Sequence, residues 1–495
     1  MADTSDIVPE KGQLEDPKSS ANTSEIETGD EAPVPMDTVR RRIVMFSLCL
    51  ALFLSALDVT IEYAWIGSSY TLSNTASVAI WAKLSDIFGR KPIIMIANVA
   101  FLLGSLLAGL SQNVGMLIGG RIIQGLGAGG CTVLVTILIS DLFALRDRAK
   151  YYGLTGIVYA ISSSIGPVLG GVFTQTIGWR WCFYINLPFD GISLIALLLA
   201  LRVHTSKTTL AAGLKSLDWI GCLLIVGGTI CFLYGLGSGA GDKASWKSAE
   251  TICLLVFGVV ILVLFGFYES RFATSPLVPM RIFSRGTNIA SMAVLCLHGF
   301  VFIAYDYFLP LYFQIALGFA PIISGVSLLA LVVPLSFTTM GAAFFIKKTG
   351  SYLLPTNIGA AVMTLGTGLL ISLGAKTDWA KIMVFQVIVG LGAGPLFQAP
   401  MIALQAHLPQ KDVAAASSAS QFLRSLSTSM SIVIGTVLLQ ANHGGNQLTE
   451  AVSTPEAAQG YVDAMKYMWI FYTAMAGVMV ATCMFIKKMP VQDKS

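Results

Sequence analysis

Stretches of about twenty apolar residues, the length that crosses a bilayer as an α-helix, follow one another along almost the whole chain. Of its 495 residues 55% are hydrophobic and only 12% are charged, whereas a soluble domain carries roughly 25% charged residues. An all-α polytopic membrane protein is therefore expected, with fourteen spans: 43–61, 64–82, 92–111, 115–141, 151–174, 182–202, 217–236, 250–268, 288–313, 322–345, 354–374, 381–404, 416–439 and 465–486. Ahead of them, residues 1–39 carry ten Asp or Glu against two Lys, with no apolar periodicity. Such a segment reads as a disordered cytosolic tail. No cleavable signal peptide is expected.

The distribution of basic residues tests the span count, because loops rich in Lys and Arg stay cytosolic. With a cytosolic N-terminus, 21 Lys or Arg flank the membrane on the inside, against six in the outside loops. Away from the span ends, only Arg121 and Arg424 fall within spans. Both termini are then cytosolic, 488–495 being a short second tail. The net charge of +4 carries no implication of nucleic acid once its placement is explained. The eight cysteines lie in or beside apolar spans with no metal or redox spacing, and read as small buried hydrophobes.

The segment from Ala82 to Gly130 is the most informative. A short charged loop, Lys83-Leu84-Ser85-Asp86-Ile87-Phe88-Gly89-Arg90-Lys91-Pro92, joins two spans. Gly89 suits a tight turn, and Pro92 the first turn of a helix. Arg121 then sits inside the next span, followed by Gln124-Gly125-Leu126-Gly127-Ala128-Gly129-Gly130. A guanidinium at membrane depth costs about 3 kcal/mol or more and should face a polar interior. The glycines allow close helix approach.

The loop and the Arg121 segment resemble the first-half signatures of the major facilitator superfamily, G-x-L-x-D-x-x-G-R-K (with Ala82 for the leading Gly) and R-x-x-Q-G-x-G-A. Gly166-Pro167-Val168-Leu169-Gly170-Gly171 resembles the motif of its drug:proton antiporters. Trp65-Ile66-Gly67-Ser68-Ser69-Tyr70 and Leu84 to Lys91 are similar to the fourteen-span fungal toxin-efflux branch. The resemblance covers roughly residues 40 to 490. It implies the major facilitator fold, two six-helix halves plus two extra central helices. It also implies export of a small hydrophobic substrate against protons, with no cofactor, as a monomer in the plasma membrane or, alternatively, the vacuolar membrane.

An internal repeat agrees with two halves. Gly125-Leu126-Gly127-Ala128-Gly129 recurs as Gly390-Leu391-Gly392-Ala393-Gly394, an offset of 265, and Ser164–Gly170 meets Ser429–Gly435 at the same offset. The expected divisions are 40–203 for the N-terminal half, 204–287 for the extra pair and 288–487 for the C-terminal half. Arg121 corresponds to Gln386 and the Gly166-Pro167 pair to Ser431-Ile432. Proton coupling is therefore expected in the first half and pocket shaping in the second.

Candidate residues follow, each with a plainer alternative. Asp86, Gly89, Arg90 and Lys91 form a gating loop or, alternatively, solvated charge that sets topology. Arg121 holds a proton-coupling network or an anion, or is a structural charge bonded to a carbonyl. It cannot release a proton, so a carboxylate partner is expected: Asp58, which resembles the Asp of the family's first-span L-D-x-T motif, or Asp141. Gly166, Pro167, Gly170 and Gly171 kink and pack the fifth span. Tyr305, Asp306, Tyr307 and Gln314 read as pocket lining or as an interfacial aromatic belt, Asp306 being a further proton-carrier candidate. Gln124, Gln386, Gln398, Gln421 and Arg424 supply polar groups, and His298 reads as a packing residue.

One departure from the family pattern stands out. After Leu57-Asp58-Val59-Thr60-Ile61 about 20 residues are missing, leaving a two-residue connection and moving Asp58 outward, away from Arg121. That shortening makes a transport-inactive form one alternative, and a proton-coupled importer or iron-chelate carrier is another. No G-x-x-x-x-G-K-[ST] occurs, which argues against an ATP-driven pump, and no nucleophile–base or metal constellation argues for an enzyme.

Overall fold

The computed structural model describes residues 37–60, 65–203, 209–240, 246–443 and 455–488. The expected tail lies outside these residues up to residue 36, as do the connection at 61–64 and residues 489–495. Fourteen long helices account for most of the described chain. They are α1 Thr38–Thr60, α2 Trp65–Phe88, α3 Arg90–Gly109, α4 Val114–Leu142, α5 Leu145–Thr176, α6 Trp181–Ala200 and α7 Trp219–Ala240. The others are α8 Ala249–Arg271, α9 Gly286–Ala316, α10 Pro321–Thr349, α11 Leu353–Leu370, α12 Trp379–Ala406, α13 Gln410–His443 and α14 Pro455–Cys483. A short helix, Leu210–Ser216, precedes α7.

Twelve of these, α3 to α14, are long and apolar enough to cross a membrane. α1 begins in Arg40-Arg41-Arg42, and α2 carries Ser and Thr along its length. At 1.5 Å per residue the 23 residues of α1 still reach about 34 Å, more than the hydrocarbon thickness. Each helix overlaps one expected span. The largest differences are at N-termini, where α5 starts at Leu145, α13 at Gln410 and α14 at Pro455. Those first turns are polar, so hydropathy does not register them, although their backbone is helical.

Local chemistry sets several ends. Asn113 accepts from the Met116 amide at 2.8 Å and opens α4, as Ser248 opens α8 and Asp378 opens α12. Gly89, with φ 93°, makes the turn between α2 and α3. Basic side chains close helix C-termini, where carbonyls lack partners. Arg40 Nε donates to the Ala200 carbonyl at 2.5 Å and Lys91 Nζ to that of Leu198 at 2.7 Å, both at the end of α6.

Two packing patterns repeat. α4 lies between α2 and α3 as α12 lies between α10 and α11, and α1 packs on α5 and α6 as α9 packs on α13 and α14. A Cβ added at Gly125 or Gly129 would strike α2, and one at Gly127 would strike α3. At the equivalent Gly390 and Gly394 it would strike α10, and at Gly392 α11. The two sets meet through α5 against α10 and α13 against α2 and α4, with α7 seated on α2 and α13 and α8 outside it. α8 exposes Val256, Phe257, Val260, Val263, Leu264 and Phe267, an apolar face suited to lipid. Cys253, expected to be buried, is exposed on that helix, because an apolar span here faces outward.

Candidate functional site

Between the two sets lies a cavity of about 150 Å³. Ser55 of α1, Asn74 of α2, Thr132 and Thr136 of α4, and Tyr152, Thr155 and Tyr159 of α5 line one side. Phe397 of α12 and Gln421, Arg424 and Thr428 of α13 line the other. Pro395 sits in α12 just ahead of the point where its helix breaks, and Phe397 occupies that break. At the end bearing the Asp86 loop the sets are tied by polar bonds. Arg148 Nη1 donates to Gln405 Oε1 at 3.2 Å, and Gln405 Nε2 donates to the Tyr152 hydroxyl at 2.8 Å. Arg146 Nε reaches the Lys347 carbonyl at 2.6 Å, and Lys347 pairs with Asp147 at 2.6 Å. Toward the opposite end α5 presses on α10, where a Cβ at Gly171 would meet Pro321 and one at Gly325 would meet Val168.

Beside the cavity a polar cluster is buried in the first set. Gln124 Nε2 donates to Asp58 Oδ2 at 2.5 Å and to Ser105 Oγ at 2.8 Å. Asn186 Nδ2 donates to the same carboxylate oxygen at 2.9 Å. Arg121 Nη1 donates to Gln124 Oε1 at 2.8 Å and its Nη2 to the Asp58 carbonyl at 3.1 Å. Its guanidinium lies 4.4 Å from the centre of the Tyr70 ring, and the Tyr70 hydroxyl donates to the Ser55 carbonyl at 2.7 Å. Asp58, Arg121, Gln124 and Asn186 are each no more than 1% exposed. Buried charge survives only when paired or hydrogen-bonded, and here each charged group has such partners.

The expected outward displacement of Asp58 is thus overturned. α1 keeps Asp58 against Arg121 because its register is fixed by packing on α5 and α6, not by the length of the following connection. Asp141 is placed elsewhere. It accepts from Arg90 Nε at 2.8 Å, and Arg90 also pairs with Asp86 and donates to Ser85 Oγ at 2.7 Å. It belongs with the loop because it closes α4 at the end far from Arg121. Asp306 is buried on α9 with Oδ2 free of hydrogen bonds, and it does not line the cavity. Gly166, Pro167, Gly170 and Gly171 lie within continuous α5, where a Cβ at Gly171 would meet Pro321 of α10.

The other residues expected to line a pocket are held by bonds or packing within the second set, and Gln398 also lies against Gly153 of α5. The Tyr305 hydroxyl and Thr367 Oγ1 are 2.5 Å apart, and the Tyr305 ring stacks on Trp469. Gln386 Nε2 bonds the Ile382 carbonyl of its own helix at 3.0 Å, and Gln398 Nε2 bonds the Thr339 carbonyl at 2.6 Å. Gln314 Nε2 lies 3.4 Å from Ser324 Oγ, and Tyr307 packs edge-on to Phe308. Of the expected polar residues, Arg424 and Gln421 reach the cavity. His298 is buried among Phe302 and Phe397 as a packing residue.

Sequence reasoning missed Asn186 and Asp190. Asp190 lies one helical turn beyond Asn186 on α6, is 1% exposed, has neither oxygen hydrogen-bonded, and is close enough to Asp58 for direct charge interaction. The signal was present: a carboxylate within an apolar span, four residues from an amide and so on the same helix face.

Residues 42–432 match the family model described as Major Facilitator Superfamily. The chain belongs to that superfamily. It is thus a multi-pass membrane transporter rather than an enzyme. The chain is 43% identical over 488 residues to the efflux pump dotC of Dothistroma septosporum, covering 90% of this chain and 84% of that one. It is 40% identical over 519 residues to the MFS-type transporter ppz2 of Metarhizium majus, covering 94% and 90%. That alignment is longer than the present chain, so ppz2 carries segments this chain lacks. The efflux pump FUS6 of Gibberella moniliformis is 30% identical, covering 91% and 88%. The human organic anion transporter MFSD10 has the same fold, with a TM-score of 0.58 over 88% of this chain and 99% of that one, at 12% identity.

Proposed function

We propose that the chain exports small amphipathic molecules, such as a toxin, secondary metabolite or drug, in exchange for protons by alternating access. The observation that carries this reading is the buried Asp58–Gln124–Arg121 cluster beside the central cavity. Asp58 is the titratable group that takes and gives the proton, with Asp190 as its neighbour on α6. Arg121, Gln124 and Asn186 bond the carboxylate or its backbone. Ser55 and Ala56, less than one turn away on α1, line the cavity. Loss of the Asp58 charge therefore alters the bonds that hold α1, α4 and α6 together at the wall of the substrate site.

Alternating access is supported by contacts that join the two sets at opposite ends of α5, Arg148–Gln405 at one and Val168–Gly325 at the other. The cavity volume is smaller than the roughly 300 Å³ at which ligand pockets begin, so a substrate of that size requires the two sets to move apart. The Asp86–Arg90–Asp141 bridge is the latch at the loop end. The six-helix halves are 40–203 and 288–487, joined through 204–287, and the plasma membrane with cytosolic termini is the expected setting. Export is supported by the relatives dotC and FUS6, each named an efflux pump.

The test is energy-dependent efflux of fluorescent amphipathic probes from a host lacking its own drug pumps, with and without a protonophore. Export abolished by the protonophore is the expected result. Protonophore-sensitive uptake instead would establish an importer. Absence of transport in either direction would leave the transport-inactive alternative, which rests on the shortened connection after α1.

A further inference from the structure

Arg424 is one of two Lys or Arg residues in the interior of the expected spans, and its situation is unlike that of Arg121. Arg121 is enclosed by Gln124, the Asp58 carbonyl and Tyr70. Arg424 lies on α13 at the cavity wall, its guanidinium 4.9 Å from the centre of the Phe397 ring. Among the described residues, no carboxylate pairs with it and no acceptor bonds its N–H groups. The cavity lining includes no Asp, Glu, Lys or His beside it. Asp306 interacts with Tyr159 across α5 and α9 but does not reach the wall. His298, also near Arg424, is fully buried beneath Phe397 and Phe302.

A guanidinium at membrane depth without a counter-charge is expensive and marks a substrate or ion pathway. The face of Phe397 fixes its plane, leaving the donors free for a ligand. Around it the wall supplies aromatic surface, with Tyr159 6.2 Å from Phe397 ring to ring, and hydroxyl or amide groups at Thr428, Ser425 and Gln421. We infer that the cavity recognises organic anions, aromatic carboxylates or phenolates, whose charge bonds Arg424 while their rings lie against Phe397 and Tyr159, and that it disfavours organic cations. This inference rests on the export reading and names its substrate class.

The test compares two probes built on one xanthene ring system, the anion fluorescein and the cation tetramethylrhodamine methyl ester. Export from cells is measured alongside binding of each probe to the purified full chain by fluorescence anisotropy. Wild type is expected to favour fluorescein in both assays. Arg424→Gln should weaken fluorescein binding roughly tenfold or more, the scale of a hydrogen bond to a charged group. Arg424→Lys should restore most of the preference. An unchanged preference in a folded Arg424→Gln protein, or stronger binding of the cation by wild type, would overturn the inference. Export of the cation alone would overturn it while leaving efflux in place. Arg424-dependent binding of fluorescein without energy-dependent export would do the reverse.

Discussion

α4 and α12 occupy equivalent places in their sets and are built on the same glycines, yet they hold different chemistry. Gly104 of α3 meets the backbone of Gln124 as Gly366 of α11 meets that of Val389, the residue 265 positions after Gln124. Along this shared frame Arg121 and Gln124 are replaced by Gln386 and Val389. In α4 the pair binds Asp58 and, through it, Asn186. In α12 the single amide turns back on its own helix. Close packing and charge handling are therefore separable here: the glycines provide the first in both halves, and the polar side chains add the second in one.

The largest effect expected from exchanging these contents is on Arg121→Gln, which gives α4 the residue of α12. Breaking a buried charge cluster costs about 3–5 kcal/mol, so uphill export should fall by more than about a hundredfold, with surface expression checked in parallel. Gln386→Arg in that background should not restore it, because the Gln386 side chain bonds a carbonyl of its own helix and not a carboxylate. Restoration would show the two frames to be interchangeable.

Asp58→Asn comes next. It keeps an acceptor oxygen for Gln124 or Asn186 and removes the ionisable group. Uphill export should be lost while downhill, gradient-driven probe movement continues. Proton release measured with a pH dye should no longer accompany transport. Asp306→Asn in the second set should retain most coupled export, and equal loss in both would place coupling on both sides.

The glycine frame predicts symmetry instead. Gly125→Val and Gly390→Val each push a side chain into the backbone of a neighbouring helix. Each should destabilise the purified protein by about 1–3 kcal/mol, the usual cost of overpacking, as read by thermal or denaturant unfolding in detergent. A large difference between them would break the equivalence of the two frames.

The smallest effect is expected at the loop. Arg90 is 15% and Asp141 27% exposed at the side chain, and partly solvated pairs contribute about 1 kcal/mol or less. Asp141→Asn should therefore slow export by only a few-fold, without changing its protonophore sensitivity.

The helices and their order were legible because apolar length is a local property, and twelve of the fourteen helices have the length and composition needed to cross a bilayer. The glycine repeat was legible for a related reason, since small residues at fixed spacing encode close approach whatever the partner. Arg121 declared itself by being a charge in an apolar run. Its partners were harder to read. Asp141 and Asp58 were equal candidates in the sequence, and helix rotation and height sent one to Arg90 and the other to Gln124. Asn186 and Asp190 carried the same signal as Asp58, but only the packing of α6 on α1 and α3 makes them part of the cluster.

The sequence by itself therefore determined the number of helices and the two repeated frames, and it singled out Arg121 as a buried charge. The tertiary structure decided which faces look inward. It kept Asp58 beside Arg121 despite the short connection after α1, turned Tyr305, Gln386 and Gln398 into packing groups, and left Arg424 facing the cavity. The physical reason is that hydrophobic length sets how far a helix extends along the membrane normal. Each residue also rotates a side chain by about 100°, and that angle is fixed only when neighbouring helices interlock.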